Sequence, residues 1–127
     1  TSPESASIAP GSQEDLIVNV GDRVFFNYDS SDLGSDAQEL LQDQVAWLKQ
    51  YSDVSVIVEG HCDERGTREY NLALGEKRSQ SVKNYLISLG ISSDRISTIS
   101  YGKERPAVVG SNDGAWAQNR RSVTIVN

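Results

Sequence analysis

Two stretches of helical hydrophobic period, with a short run of β-branched residues between them, constrain this chain more than any other feature. Ala37, Leu40, Leu41, Val45, Leu48 and Tyr51 recur at helical spacing behind Ser35 and Gln38, a pair that reads as a capping box, and predict a helix over 35–51. A second helix is predicted over 69–89, stopping at Gly90. Between them, Val54-Ser55-Val56-Ile57-Val58-Glu59 predicts a buried strand that ends at Gly60. A strand over 96–101, a short helix over 113–119 and an alternating last strand over 122–126 follow. In front, Leu16-Ile17-Val18-Asn19-Val20, then Gly21-Asp22, then Arg23-Val24-Phe25-Phe26 predicts a β-hairpin, because Gly at the first central position suits a primed turn. Strands interleaved with helices make an α+β chain. The expected architecture is a two-layer α/β sandwich with a mixed sheet, β-α-β-α-β followed by the short helix and final strand, with the hairpin added at the N-terminus. Residues 1–14, rich in Ser, Pro and Gly, are expected to be a flexible tether, and 15–127 a single domain.

The bulk numbers exclude several classes. Eighteen acidic against twelve basic residues give a formal charge of −6, and the only adjacent basic residues are the pairs Lys77-Arg78 and Arg120-Arg121, so no nucleic-acid partner is expected. No apolar run approaches the roughly 20 residues that span a bilayer. The lone Cys62 cannot form an internal disulfide. The chain opens on Thr1 rather than Met, as either a processed product or a trimmed chain would. His61, Asp63 and Glu64 are potential zinc ligands by type. Sequence neighbours rarely converge on one ion and there is no second His, so neither a metal site nor a cofactor is expected. No nucleophile-elbow pattern accompanies the serines, and no catalytic residues are assigned. Trp47 and Trp116 lie on predicted helices and are assigned to packing rather than to carbohydrate stacking. Arg120 and Arg121 precede an alternating strand and should point to opposite faces, one toward a site and one toward solvent.

The second helix carries an anomaly. On a wheel advancing about 100° per residue, Arg78, Asn71, Val82, Tyr85, Leu86 and Leu89 all fall within about 120° of Leu74. A guanidinium on a core-facing stripe is costly unless it is paired or lines a cleft. The loop Gly60-His61-Cys62-Asp63-Glu64-Arg65-Gly66 stands at the C-terminal end of a strand, where ligand crevices of α/β sheets tend to lie. If that strand packs on the second helix, Asp63 can approach Arg78. A carboxylate and a planar cationic fork then suit a zwitterionic ligand, or they simply satisfy each other.

Five blocks carry a resemblance. They are Val24-Phe25-Phe26-x-Tyr28-Asp29; Gly60-His61-x-Asp63-Glu64-Arg65-Gly66; Glu69-Tyr70-Asn71-x-x-Leu74-Gly75-Glu76-x-Arg78; Ser100-Tyr101-Gly102-Lys103-Glu104-x-Pro106-Ala107-Val108; and Asn119-Arg120-Arg121. Together they resemble the OmpA-like peptidoglycan-binding domain, over about residues 23–126, and the longer matches look like its lipid-anchored, wall-associated branch. The resemblance implies the OmpA C-terminal-like fold and non-covalent binding of the meso-diaminopimelate of the peptidoglycan stem. Asp63 would take the ammonium and Arg78 the carboxylate, with Asn71 and Arg120 in support. Tyr28 and Asp29 would line the site partly through backbone groups, and His61, Arg65 and Leu74 would support the loop. It also implies TolB as a partner, with other Tol or outer-membrane proteins possible, a role in envelope integrity and cell division, and a place on the periplasmic side of the outer membrane of a Gram-negative bacterium. The only membrane contact implied is a lipid anchor on a cysteine outside this sequence. Cys62 stands where a small residue or Thr is usual in the family, and Arg68 where Pro is frequent.

Overall fold

The computed structural model describes residues 8–127. In chain order it contains α1 (Gln13–Asn19), β1 (Arg23–Phe25), α2 (Ser35–Gln50), β2 (Val56–His61), α3 (Arg68–Ser88), a 3₁₀ turn (Ser93–Arg95), β3 (Ile96–Gly102), α4 (Asp113–Asn119) and β4 (Arg121–Val126). The strands form one mixed sheet in the order β1-β4-β2-β3. β2 and β3 are parallel, so they need a crossover, which α3 supplies; β4 runs antiparallel to both β1 and β2. Helices α2 and α3 cover the face that carries Val24, Val56 and Val58, and these close a single core with Leu41, Leu48, Val82 and Leu86. The α+β sandwich with a mixed sheet is thus the observed architecture.

Its N-terminal edge differs from expectation. Residues 13–19 form a helix, not the first strand of a hairpin. Ser12 caps it, with Oγ accepting from the Asp15 N–H at 3.2 Å. Gly21, at φ +119°, ends it by donating its N–H to the Leu16 carbonyl at 2.7 Å. A glycine read as a hairpin turn is therefore a helix stop. Leu16 is buried in the core, whereas Ile17 and Val18 face solvent, so the apolar run is one-sided at helical period. Gln13 closes the edge of β4 beyond β1: its side-chain N–H donates to the Thr124 carbonyl and its Oε1 accepts from the Val126 N–H. Residues 13–14 thus belong to the domain. The part of the expected tether at residues 1–7 lies outside the described residues.

Helix α2 starts one residue earlier in capping terms than the sequence indicates. Gly34 is the N-cap, and the Gln38 side chain donates to the Leu33 carbonyl at 2.9 Å rather than completing a box with Ser35. Helices α3 and α4 match their expected spans to within a residue.

β2 continues through Gly60 to His61 instead of ending at the glycine. Gly60 is a contact point. A Cβ there would overlap the Gly75 carbonyl on α3, and a Cβ on Gly75 would overlap the Ser100 hydroxyl. Two backbones pressed together without side chains set α3 directly on β2. One turn further along the helix, Arg78 then lies beneath the end of the strand.

Candidate functional site

At the C-terminal end of β2, the loop after His61, the start of α3 and residues 27–30 enclose a small cavity of about 40 Å³. Tyr28, Asp29, Asp63, Arg65, Asn71, Leu74 and Arg78 all line it. A larger cleft of about 430 Å³ lies between β1 and the start of α2, but its guanidinium, Arg23, is paired with Asp22 at 3.0 Å. Chemistry, not volume, distinguishes the smaller cavity.

Arg78 is 1% exposed. It donates from Nε to the Ser30 carbonyl (2.8 Å), from Nη1 to the His61 carbonyl (3.0 Å) and from Nη2 to the Asn27 carbonyl (3.1 Å). These bonds orient the fork and pin the 27–30 loop to the sheet. They do not neutralise its charge: among the described residues no Asp or Glu forms an ion pair with Arg78. Burial accordingly pushes its pKa down from the usual value; Cys62 opposes this, Arg120 adds to it, and Asp63 opposes it to a smaller extent. A buried cation without a counter-ion calls for one.

Asp63 is 5% exposed and does not pair with Arg78. Its Oδ2 meets Arg65 Nη2 at 2.9 Å and Arg120 Nη1 at 3.4 Å, and its Oδ1 accepts from the Arg65 N–H at 3.0 Å. Burial raises its pKa, but the hydrogen bonds and charge of Arg65, with help from Arg120, outweigh this and hold it below the ordinary carboxylate value. The two charges of the candidate site are therefore separate groups with separate partners, and the mutual pair left open by the sequence does not form.

The supporting residues sort by position. Asn71, 2% exposed, donates to the Arg65 carbonyl at 2.8 Å, and Lys103 donates to the Gly66 carbonyl at 2.7 Å, so the loop is held from both sides. Thr67 caps α3 through the Tyr70 N–H. Asp29 has φ +55°, a left-handed conformation that turns the 27–30 carbonyls toward Arg78. Arg120 reaches Asp63 while its Nε donates to the Phe26 carbonyl.

His61 acts through its backbone, and one expectation, that of a solvent-facing arginine, needs correction. The His61 ring does not face the cavity. It lies on the other face of the sheet, bonded to Glu59 at 2.9 Å and stacked on Tyr101, and it serves the site only through its carbonyl. Arg121 does not point to solvent. It is 6% exposed and donates to the Asn119 and Arg105 carbonyls, because the loop after β3 folds over that face of the sheet.

Trp116 was not recognised as part of the site. It stands at the mouth, with Nε1 donating to Glu64 at 3.0 Å and the Arg65 guanidinium 4.0 Å from its ring centroid. Trp47, by contrast, is core, as expected of a packing residue, and donates to Asp15. Gly75 also went unread, although a glycine inside a helix costs about 1 kcal/mol relative to Ala and so signals a packing reason.

A model of the OmpA family matches residues 25–120. The peptidoglycan-associated lipoprotein of Mesorhizobium japonicum is 51% identical over 123 residues, covering 97% of this chain and 73% of the relative. That of Agrobacterium fabrum is 52% identical over 122 residues, covering 96% and 69%. Among solved structures, the peptidoglycan-associated lipoprotein from Burkholderia pseudomallei superposes with a TM-score of 0.83 at 36% identity, covering 89% of this chain and 100% of the other. The matched span holds every site residue named above, and the chain belongs to the OmpA family and, within it, to the peptidoglycan-associated lipoproteins.

Proposed function

We propose that this domain is a non-catalytic clamp for peptidoglycan that tethers the outer membrane to the cell wall, and that it grips the diaminopimelate of the stem peptide. The observation that carries the reading is Arg78: a buried guanidinium, fixed by three backbone carbonyls and lacking a carboxylate partner, beside a buried, ionised Asp63. The side-chain end of diaminopimelate offers a carboxylate for the first and an ammonium for the second, which is charge-assisted bonding at both ends. Asn71, Arg120, Leu74, Tyr28 and Asp29 shape the cleft around these two anchors.

In the same reading the protein works on the periplasmic side of the outer membrane of a Gram-negative bacterium, held there by a lipid anchor. It serves envelope integrity and cell division within the Tol system, with TolB as its second partner. Among the described residues no helix is long and apolar enough to cross a membrane. TolB would cover residues 60–68 and the start of α3. Wall and TolB would then exclude each other, each weakening the other by the same factor.

Incubation with purified sacculi tests the proposal. The chain should pellet with diaminopimelate-type wall, release no soluble fragments, and pellet at least tenfold less with lysine-type wall, which lacks the distal carboxylate. Equal pelleting with both would remove Arg78 from the role given it, and fragment release would make the protein an enzyme.

A further inference from the structure

In this structure Asp63 already has a cation on it. Arg65 grips it with both ends of its fork, Nη2 to Oδ2 at 2.9 Å and Nε to Oδ1 at 3.3 Å. The same guanidinium lies 4.2 Å from the Tyr28 ring centroid and 4.0 Å from that of Trp116. It therefore fills the place where a ligand ammonium would sit.

The cavity that remains is small, about 40 Å³, and Arg65 itself is part of its lining. A ligand ammonium that is to reach Asp63 meets a carboxylate already held at both oxygens by Arg65 and must displace that guanidinium. Arg78 cannot move cheaply, being 1% exposed and bonded to three carbonyls. Arg65 can: its side chain is 33% exposed, at the mouth, on a loop.

Displacement has an electrostatic consequence. The site gathers Arg65, Arg78 and Arg120 around Asp63, with Asp29 also on the wall. A ligand end with only an ammonium would replace one cation on Asp63 by another and add a further positive charge to a site already rich in them. A zwitterionic end brings its own carboxylate and adds none. Resting on the function proposed above, we propose that Arg65 is a displaceable internal counter-ion of Asp63, and that competition with it makes the site select a zwitterionic ligand end over a simple amine. Arg78 then rewards the carboxylate, while Arg65 rejects the lone ammonium.

Calorimetric titration of wild type, Arg65→Ala and Arg65→Lys with soluble diaminopimelate-type and lysine-type muropeptides tests this. Wild type is expected to prefer the diaminopimelate form at least tenfold. Arg65→Ala should bind the lysine form severalfold more tightly than wild type does and so narrow the preference, with Arg65→Lys in between. In wild type, addition of the diaminopimelate form should change the emission of Trp116 as the guanidinium leaves its ring. That change should be absent in Arg65→Ala, while Trp47, buried in the core, stays constant. Loss of affinity for both forms in Arg65→Ala would make Arg65 a ligand contact and overturn the proposal. An unaltered preference in both variants, or a Trp116 signal that persists without Arg65, would overturn it as well. A wild type without preference would instead overturn the diaminopimelate reading on which it rests.

Discussion

Arg78 and Arg95 stand near opposite ends of β2 and do superficially the same thing. Each guanidinium donates to three backbone carbonyls, Arg78 to those of Asn27, Ser30 and His61, Arg95 to those of Leu48, Tyr51 and Val54. Their surroundings differ. Arg95 is half-buried and caps the last turn of α2, where the helix dipole places partial negative charge and water reaches the fork. Arg78 is fully buried, meets no helix C-terminus, and faces a cavity that also holds Asp63. Three carbonyls suffice to orient an arginine in both places, but only at Arg95 is the charge also accommodated. In the function proposed here, the surplus at Arg78 is what makes one end of the strand a joint and the other a binding site.

The largest effect should come from breaking that asymmetry. Arg78→Met is expected to lower sacculus binding by at least a hundredfold, and also to destabilise the fold. It leaves buried carbonyls unbonded, at about 1–3 kcal/mol for each that water cannot reach. Arg95→Met should leave sacculus binding unchanged and cost stability only. Pelleting assays beside denaturant melts read both. Binding lost in Arg95→Met, or kept in Arg78→Met, would erase the distinction.

A change of packing should come next. Gly75→Ala forces a methyl into the Ser100 hydroxyl and toward the Gly60 carbonyl and lifts α3 from β2. A loss of about 1–3 kcal/mol or more is expected, with weaker binding because Arg78 rides on the same helix. An alanine that melted like wild type would show that the close approach is not required.

The pH dependence is smaller and has a definite sign. Burial lowers the His61 pKa from 6.5, partly offset by Glu59 and reinforced by Arg121 and Arg105, while Tyr101 stacks on the ring. The unfolded chain therefore binds this proton first. Stability is full above the unfolded value and falls as pH drops below about 6.5 toward the depressed folded value, with a slope of at most about 1.4 kcal/mol per pH unit. Urea melts between pH 7.5 and 5 should show this slope, and His61→Gln should flatten it. Because the His61 carbonyl holds Arg78, the slope belongs to the Arg78 end of β2. Smallest is Ser12→Ala, which removes the cap of α1: about 0.5–2 kcal/mol of stability with sacculus binding unchanged.

What was legible in the sequence follows from how local the signal is. Helix α3 and its buried Arg78 and Asn71 could be read from period alone, because a charged residue on an apolar stripe is visible without tertiary knowledge. The strand at 56–61 could be placed but not ended, since Gly60 signals a stop in sequence and a helix contact in space. The run 16–20 fits either period over five residues. The deciding features, Ser12 ahead of it and Gly21 behind, were read as tether and turn. Asp63 and Arg78 were read onto one crevice, and they line the same cavity; whether they pair with each other was left open, and they do not. Which cation reaches Asp63 depends on the fold of a loop, and Arg65 and Trp116 meet only after α4 is packed. Arg121 was misplaced for the same reason: alternation along β4 says which face a side chain takes, not whether another loop covers that face.

The central claim is that the buried charge of Arg78 waits for the distal carboxylate of the ligand. Titration with a diaminopimelate-type muropeptide, and with the same muropeptide amidated at that carboxylate, tests it by removing one ligand charge and nothing else. The amidated form is expected to bind at least tenfold more weakly, the counterpart of about 1.4 kcal/mol or more. Equal affinity for the two would contradict the claim.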